Sequence, residues 1–345
     1  MKKVLFVLKR REDFNPEKHD SPSLQCLLYN SISYVRDLLI KNDIDSQISI
    51  CIDNNCINGF IYHYKPTHVV IEALWVVPEK IKLLQSMYPN IIFIIRLHSA
   101  IPFLSVESSV SFKWIAEYVQ IPNTFISVND KRLKRELEIF LSNINEKEVI
   151  YLPNYYPLHI KEEKKEYNLE NKDTINVACF GAIRPFKNNM TQAIASIEFS
   201  KITNKKLRFH INSNRYELNG GTLNTNIVHM FDKIGDQFEL VCHPWCSRDD
   251  FLKICGNEID IGLQVSFTET FNIVSADLLS NKVPVIGSNE IPYLKRDIAN
   301  VSDVDDIVGK LLKVYKNPED NVKENIKGLE EYLEKTEKIW KEYFN

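Results

Sequence analysis

The chain has 345 residues, of which 44% are hydrophobic and 26% charged, with a formal net charge of -3. That length favours two domains of ordinary size, each with ample material for a core. The balanced charge excludes a chain that demands a polyanionic partner, although a local basic groove can hide in such a total, and 10 glycines are too few for a flexible or repeat-rich chain.

The first apolar run, Val4–Leu8, is too short for a signal peptide and reads as a buried strand. It ends in Lys9-Arg10-Arg11 and opens into a polar loop holding Asn15-Pro16 and Ser21-Pro22. Leu24, Leu27, Leu28, Ile32, Val35, Leu38 and Leu39 recur at helical spacing and predict a helix over Leu24–Ile40. Strands are predicted at Gln47–Ile52, His68–Trp75, Ile91–Leu97, Thr124–Val128 and Val149–Leu152. Helices are predicted between them at Pro78–Met87, Phe112–Val119 and Lys131–Leu141. Arg96 is the one charge in its apolar strand, which runs into His98.

Leu158–Asp173 is charged, has little core potential and reads as a connection. A second alternation follows. Its strands are Ile175–Phe180, Leu207–Ile211, Phe238–Val241, Ile259–Val265 and Val283–Ile286; its helices are Thr191–Ser200, Arg248–Cys255 and about Phe271–Ser280. Gly220-Gly221 reads as a loop, and the tail from Val304 as charged helix. No window approaches the roughly 20 apolar residues of a transmembrane helix.

Strands alternating with helices mean βαβ units and parallel sheets, and strands apolar on both faces suit a sheet covered on both sides. The expected class is α/β, with two doubly wound Rossmann-like halves facing a central cleft. The expected division is 1–156 for the first domain, 157–173 for a linker, 174–320 for the second domain, and 321–345 for a helix packing back on the first. In such sheets ligands bind beyond the carboxyl ends of the strands.

Seven cysteines, an odd number without a secretion signal, predict reduced thiols and a cytoplasmic protein. Cys242-His-Pro-Trp-Cys246 is the only arrangement hinting at a metal, and its ligand partners at matching spacing are missing. Asp43-Ile-Asp45 is a short Asp-x-Asp, but it precedes a strand instead of following one. There is no Walker A, Gly-x-Gly-x-x-Gly or Gly-x-Ser-x-Gly pattern, which argues against a dinucleotide oxidoreductase.

Three strand ends could carry chemistry. After Phe180 the chain runs through Gly181, Arg184 and Lys187 into a helix. Glycine permits close backbone approach, and two cations there suit a phosphate or diphosphate; an ordinary strand–helix turn with solvated charges has the same local pattern. Glu269 is placed at the start of the helix near Phe271, as a capping carboxylate or as a ligand for sugar hydroxyls. Asp277 lies two turns on, on roughly the same face, and the pair suits a polyol such as ribose. His98 could act as a base or as a donor to a sugar hydroxyl, or be structural.

Together these residues make the second half resemble a retaining GT-B glycosyltransferase of the large family-4 kind. That family carries a Glu, seven intervening residues and a second Glu before a Pro-Val strand. Here the stretch stands as Glu269-Thr-Phe-Asn-Ile-Val-Ser-Ala-Asp277, followed by Val283-Pro284-Val285, with Asp277 for the second Glu and Asn272 for the usual Gly. Gly181 followed by Lys187 resembles the donor loop, with Ala182 where Arg is expected and Arg184 two residues later. Val149-Ile-Tyr-Leu-Pro-Asn154 resembles the segment ending the family's first domain, and His98 matches a His by position.

The resemblance implies a metal-independent transfer from a nucleotide-diphosphate sugar, with no further cofactor. Lys187 and Arg184 would meet the diphosphate at Gly181, Glu269 would touch the sugar near the backbone N–H groups of Phe271, Asn272 and Ile273, and Asp277 would bond the ribose. The acceptor would enter near His98. It would be a surface glycan, a lipid-linked or protein group, or a hydroxymethylated DNA base held by Lys9, Arg10, Arg11, Lys18, His19 and Lys131–Arg135. The rivals are a GT-B epimerase or phosphorylase, and a non-catalytic nucleotide-sugar binder suggested by Ala182 and Asn272.

Overall fold

A computed structural model describes residues 2–10, 24–144, 147–161 and 167–344. It divides into two compact units: the chain up to Pro157 together with the residues from Leu333 on, and Leu158–Tyr332.

The first unit carries six parallel strands: β1 (Lys3–Lys9), β2 (Asp45–Cys51), β3 (His68–Glu72), β4 (Ile92–Leu97), β5 (Thr124–Val128) and β6 (Ile150–Tyr151), in the order β2-β1-β3-β4-β5-β6. The alternation along β1 shows why the strands read as unbroken apolar runs. Leu5 and Val7 join Val69, Ile71, Phe93 and Ile95 on one face. Val4, Phe6 and Leu8 join Ile32, Val35, Leu38, Trp340 and Phe344 on the other. Both faces are therefore buried under helices, as an all-parallel sheet requires. The helices are α1 (Leu24–Lys41), α2 (Cys56–Tyr64), α3 (Pro78–Met87), α4 (Ile101–Glu107), α5 (Ser111–Tyr118) and α6 (Lys131–Leu141).

The predicted strand to Trp75 stops at Glu72, because Ala73 turns left-handed at φ 68. The helices α2 and α4 had no counterpart in the periodicity. α2 is nine residues of mostly aromatic and branched side chains, which favour strands.

The second unit holds β7 (Thr174–Cys179), β8 (Lys206–Asn212), β9 (Phe238–His243), β10 (Ile261–Gln264) and β11 (Val285–Gly287), all parallel in the order β11-β10-β7-β8-β9. Its helices are α7 (Asn189–Thr203), α8 (Gly220–Phe231), α9 (Arg248–Glu258), α10 (Ile273–Ser280) and α11 (Val304–Lys316). The last helix, α12 (Pro318–Phe344), crosses the boundary at Leu333. The strand order reverses between β7 and β10, so the loops leaving these neighbours turn to opposite sides and open a crevice at their carboxyl ends.

Two expectations need correction here. The charged connection contributes Leu169 to the second core, and Lys172 pairs with Asp260 at 2.5 Å; its residues 162–166 lie outside the described ones. Gly220-Gly221 is the first turn of α8, not a loop. A Cβ on Gly220 would overlap the carbonyl oxygen of Ile183, while Gly221 faces open space. Gly220→Ala is therefore expected to lower stability by about 2–3 kcal/mol through overpacking. Gly221→Ala, in the same helix, should be neutral or stabilising by about 1 kcal/mol. Denaturant unfolding of both variants separates steric overlap from helix propensity.

Candidate functional site

At the end of β7 the chain needs a left-handed step, which Gly181 takes at φ 120. Its N–H donates to Asn212 Oδ1 at the end of β8, 2.8 Å away. A Cβ on Gly181 would stand 3.6 Å from Lys187 Cε, so the bare backbone lies along the lysine stem. A short 3-10 turn, Pro185–Lys187, then ends in Asn188 at φ 58. Asn188 donates its Nδ2 to the carbonyls of Val265 (3.1 Å) and Val301 (2.8 Å). This ties the loop after β7 to the loop after β10.

The result is a close pair at the β7/β10 crevice. Lys187 Nζ lies 2.5 Å from Glu269 Oε1, with side-chain exposures of 11% and 8%. Burial pushes the Glu269 carboxyl up, but Lys187 and Arg184 overcome it and hold the group below the usual carboxylate range. Arg184 itself pairs with Glu217 Oε2 at 2.7 Å, and Arg215 takes Glu217 Oε1 at 2.9 Å. Burial opposes ionisation of Glu217 too, and the two guanidinium groups win. Arg215 also lies over the Trp245 ring, 4.4 Å from its centroid. Gly181, Arg184, Lys187 and Glu269 are thus brought together in one cluster, with a buried carboxylate set beside an ammonium.

Glu269 does not cap the helix. α10 starts at Ile273, and its cap is Asn272, whose side chain accepts from Ser275 N at 2.9 Å. The chain adopts φ 63 at Asn272, a left-handed conformation that glycine takes freely and asparagine tolerates. Its Nδ2 donates to Gln264 Oε1 (2.9 Å), and its carbonyl accepts from Tyr293 Oη (2.6 Å). The Asn272 side chain therefore turns inward, onto Gln264 and Ser275. Phe271 is buried against the rings of Tyr293 and Tyr332. Glu269 and Asp277 share no helix face, because only Asp277 is helical. Asp277 is met by Arg248 at the start of α9, with Nη2 to Oδ1 at 2.6 Å and Nη1 to Oδ2 at 3.3 Å.

His98 belongs to the first unit. Its Nε2 lies 2.5 Å from Glu72 Oε2. Arg96 Nη1 lies 3.3 Å from the same oxygen. Arg96 also donates to Asn154 Oδ1 at 2.7 Å and to the carbonyls of Leu152 and Pro153. Burial lowers the His98 pKa, with Glu72 opposing and Arg96 assisting. Burial works against the Glu72 carboxylate, yet Arg96 and His98 keep it below its ordinary range. The Pro153-Asn154 segment is thereby pinned to the strand that presents His98.

Glu72, Arg96, Glu217, Asn212 and Arg248, which the sequence alone does not single out as site residues, contact the candidate ones or their neighbours. A signal existed for two of them: Glu72 and Arg96 are register partners on adjacent strands, and a lone charge in a buried strand needs a counter-charge.

The two cysteines of the Cys242–Cys246 motif join no cluster of metal-ligating side chains among the described residues. Cys242 is exposed, and the only metal-like group among the described residues is His210, His243 and Glu258, with ligand atoms within 4.8 Å of one another. The two imidazoles meet head-on, Nδ1 to Nε2 at 2.8 Å with ring planes 17° apart. Their lone pairs oppose instead of converging, which is the geometry of an N–H···N hydrogen bond. Asp45 is engaged by Tyr64 Oη at 2.8 Å and Lys3 at 3.4 Å. In the basic helix α6, Arg132 pairs with Glu136, and Lys134 with Glu138 and Glu148. Lys131 lies over the Tyr151 ring and Arg135 is exposed; Arg11, Lys18 and His19 lie outside the described residues.

No protein-family model matches the chain, and no curated protein matches it by sequence. Solved structures do. S. aureus TarM, in complex with Fondaparinux, alpha-GlcNAc-glycerol and UDP, superposes with a TM-score of 0.60 at 14% identity, over 80% of this chain and 54% of that one. A UDP-forming alpha,alpha-trehalose-phosphate synthase from Burkholderia xenovorans gives 0.66 at 8% identity, over 100% and 98%. Sucrose-phosphate synthase from Thermosynechococcus elongatus gives 0.64 at 12%, over 100% and 95%. The chain spans about half the TarM structure and nearly all of the other two. Its two parallel sheets with alternating helices have the GT-B fold.

Proposed function

We propose that this chain is a glycosyltransferase that moves a sugar from a nucleotide-diphosphate donor to an acceptor hydroxyl, with retention and without a metal. The observation that carries the reading is the Lys187–Glu269 pair at the β7/β10 crevice, with Arg184 close enough to bias the carboxylate. Lys187 has three N–H donors, and Glu269 takes one. The diphosphate comes to Lys187 and Arg184 over the bare backbone of Gly181, and Glu269 meets the hydroxyls of the transferred sugar. Charge leaving on the diphosphate is stabilised by cations already in place. The nucleoside end falls to the part of the site around Asp277, and the backbone of Phe271, Asn272 and Ile273 belongs to the same donor site. His98 serves the acceptor.

The UDP in the TarM complex and the UDP-forming synthase make uridine diphosphate sugars the first donors to test. The acceptor class is a glycan, lipid-linked or protein hydroxyl. A modified DNA base draws no support from the structural neighbours, and in α6 Arg132 and Lys134 are paired with carboxylates. Among the described residues no helix is long and apolar enough to cross a membrane; the cytoplasm is proposed from the odd cysteine count alone. The non-catalytic alternative drew on Ala182 and Asn272; the Asn272 side chain is turned inward as a cap, and Arg184 is the cation whose charge reaches Glu269 near Ala182.

The test is a thermal-shift panel of nucleotide sugars, followed by hydrolysis and transfer of whichever donor shifts the melt. Glu269→Gln should then reduce turnover about a hundredfold or more. A wild-type protein that no nucleotide sugar stabilises, or one that binds a donor and never turns it over, would overturn the reading.

A further inference from the structure

At the position where the resemblance puts a ribose-binding carboxylate, a ligand would not meet a carboxylate first. Asp277 is 3% exposed, and both its oxygens accept from Arg248, which is the outer partner at 23% exposure. The surface there offers a guanidinium.

That guanidinium is held in place from three sides. Ser247 caps α9 by accepting from Asp250 N, which fixes the first turn and with it Arg248 as the first helical residue. Three residues on, on the same face, Phe251 packs against Phe180 with ring centroids 5.2 Å apart. Phe180 immediately precedes Gly181, so the first turn of α9 is anchored to the strand end that launches the diphosphate loop. The third support is Asp277 itself, whose backbone carbonyl accepts Asn281 Nδ2 at 2.8 Å. A guanidinium presents its N–H donors in a rigid planar fork, so its orientation decides which oxygens it can meet.

We propose that Arg248 is a specificity-determining contact for the nucleoside half of the donor, donating to carbonyl or hydroxyl oxygens there, and that Asp277 is a positioning residue that aims it. This rests on the nucleotide-sugar reading above. It predicts recognition of the nucleoside as a hydrogen-bond acceptor, the reverse of what a bare carboxylate would select.

The test is calorimetric titration with UDP and, separately, with inorganic pyrophosphate, which presents the diphosphate end alone. Arg248→Gln should weaken UDP binding at least tenfold and leave pyrophosphate unchanged. Arg248→Lys, which keeps the charge but loses the fork, should fall between, and it carries the test alone if Arg248→Gln does not fold. Asp277→Asn should weaken UDP through misdirected Arg248 and spare pyrophosphate. Unchanged or tighter UDP binding in the Arg248 variants would mean that Arg248 merely shields a carboxylate, and would overturn the proposal. Equal losses for UDP and pyrophosphate would also overturn it, because the effect would then be one of folding. If the wild type binds pyrophosphate but no nucleoside diphosphate, the nucleotide-sugar reading itself fails.

Discussion

Lys187→Met is expected to lower turnover by about 10² to 10³-fold and to destabilise the second unit by about 3–5 kcal/mol, while Lys187→Met with Glu269→Gln recovers most of the stability and none of the activity. The stability half follows from burial. Lys187 and Glu269 are nearly enclosed and 2.5 Å apart. Removing the cation leaves a carboxylate that burial already disfavours. Arg184 alone then compensates it, and Arg184 is committed to Glu217. Removing both charges abolishes the desolvation cost together with the attraction, so the double variant should lie close to wild type in denaturant unfolding. The activity half rests on the place proposed for the same cation at the leaving diphosphate. A double-mutant cycle isolates the pair. Strict additivity in stability would mean that the two side chains do not act as a buried pair. Retained turnover in Lys187→Met would remove its assigned place at the diphosphate.

The elements were legible in the chain because these strands bury both faces, so Val4–Leu8 and Ile91–Leu97 stand out without periodicity analysis. The stretch from Glu269 to Pro284 stands out in the sequence because carboxylates are rare in so apolar a run. What could not be read was which charge meets which. Lys187 and Glu269 are 82 residues apart and Arg248 and Asp277 are 29 apart. Both pairings depend on the strand order β11-β10-β7-β8-β9, which local pattern does not contain. The helix start was misread for a different reason. Thr270 and Phe271 carry no breaker, and the left-handed turn at Asn272 is paid for by contacts to Gln264 and Tyr293 that lie elsewhere in the chain. Ala182, which looked like a missing cation, is buried in the loop, and Arg184 is the residue whose charge reaches Glu269.

Arg96→Met should cost the first unit about 3–5 kcal/mol at pH 7, and the deficit should shrink as the pH falls. Arg96 and Glu72 are both fully buried. The guanidinium also serves the carbonyls of Leu152 and Pro153, the Asn154 side chain and the Trp340 ring. In the native protein Arg96 holds the Glu72 carboxyl below its ordinary range and also disfavours a proton on His98. A carboxyl with a depressed folded pKa contributes stability above its unfolded pKa and loses it as the pH drops through the folded value. Once Arg96 is gone, both shifts run upward. Glu72 or His98 then takes up a proton that the native site refuses, and stability contributed that way grows as the pH falls. Each extra proton bound by the folded variant changes the difference by about 1.4 kcal/mol per pH unit. Urea unfolding at pH 7 and pH 5, followed by tryptophan fluorescence, should show the gap between variant and wild type narrowing at the lower pH. An equal gap at both values would mean that lost packing around Trp340 and Pro153, and not an uncompensated charge, accounts for the cost.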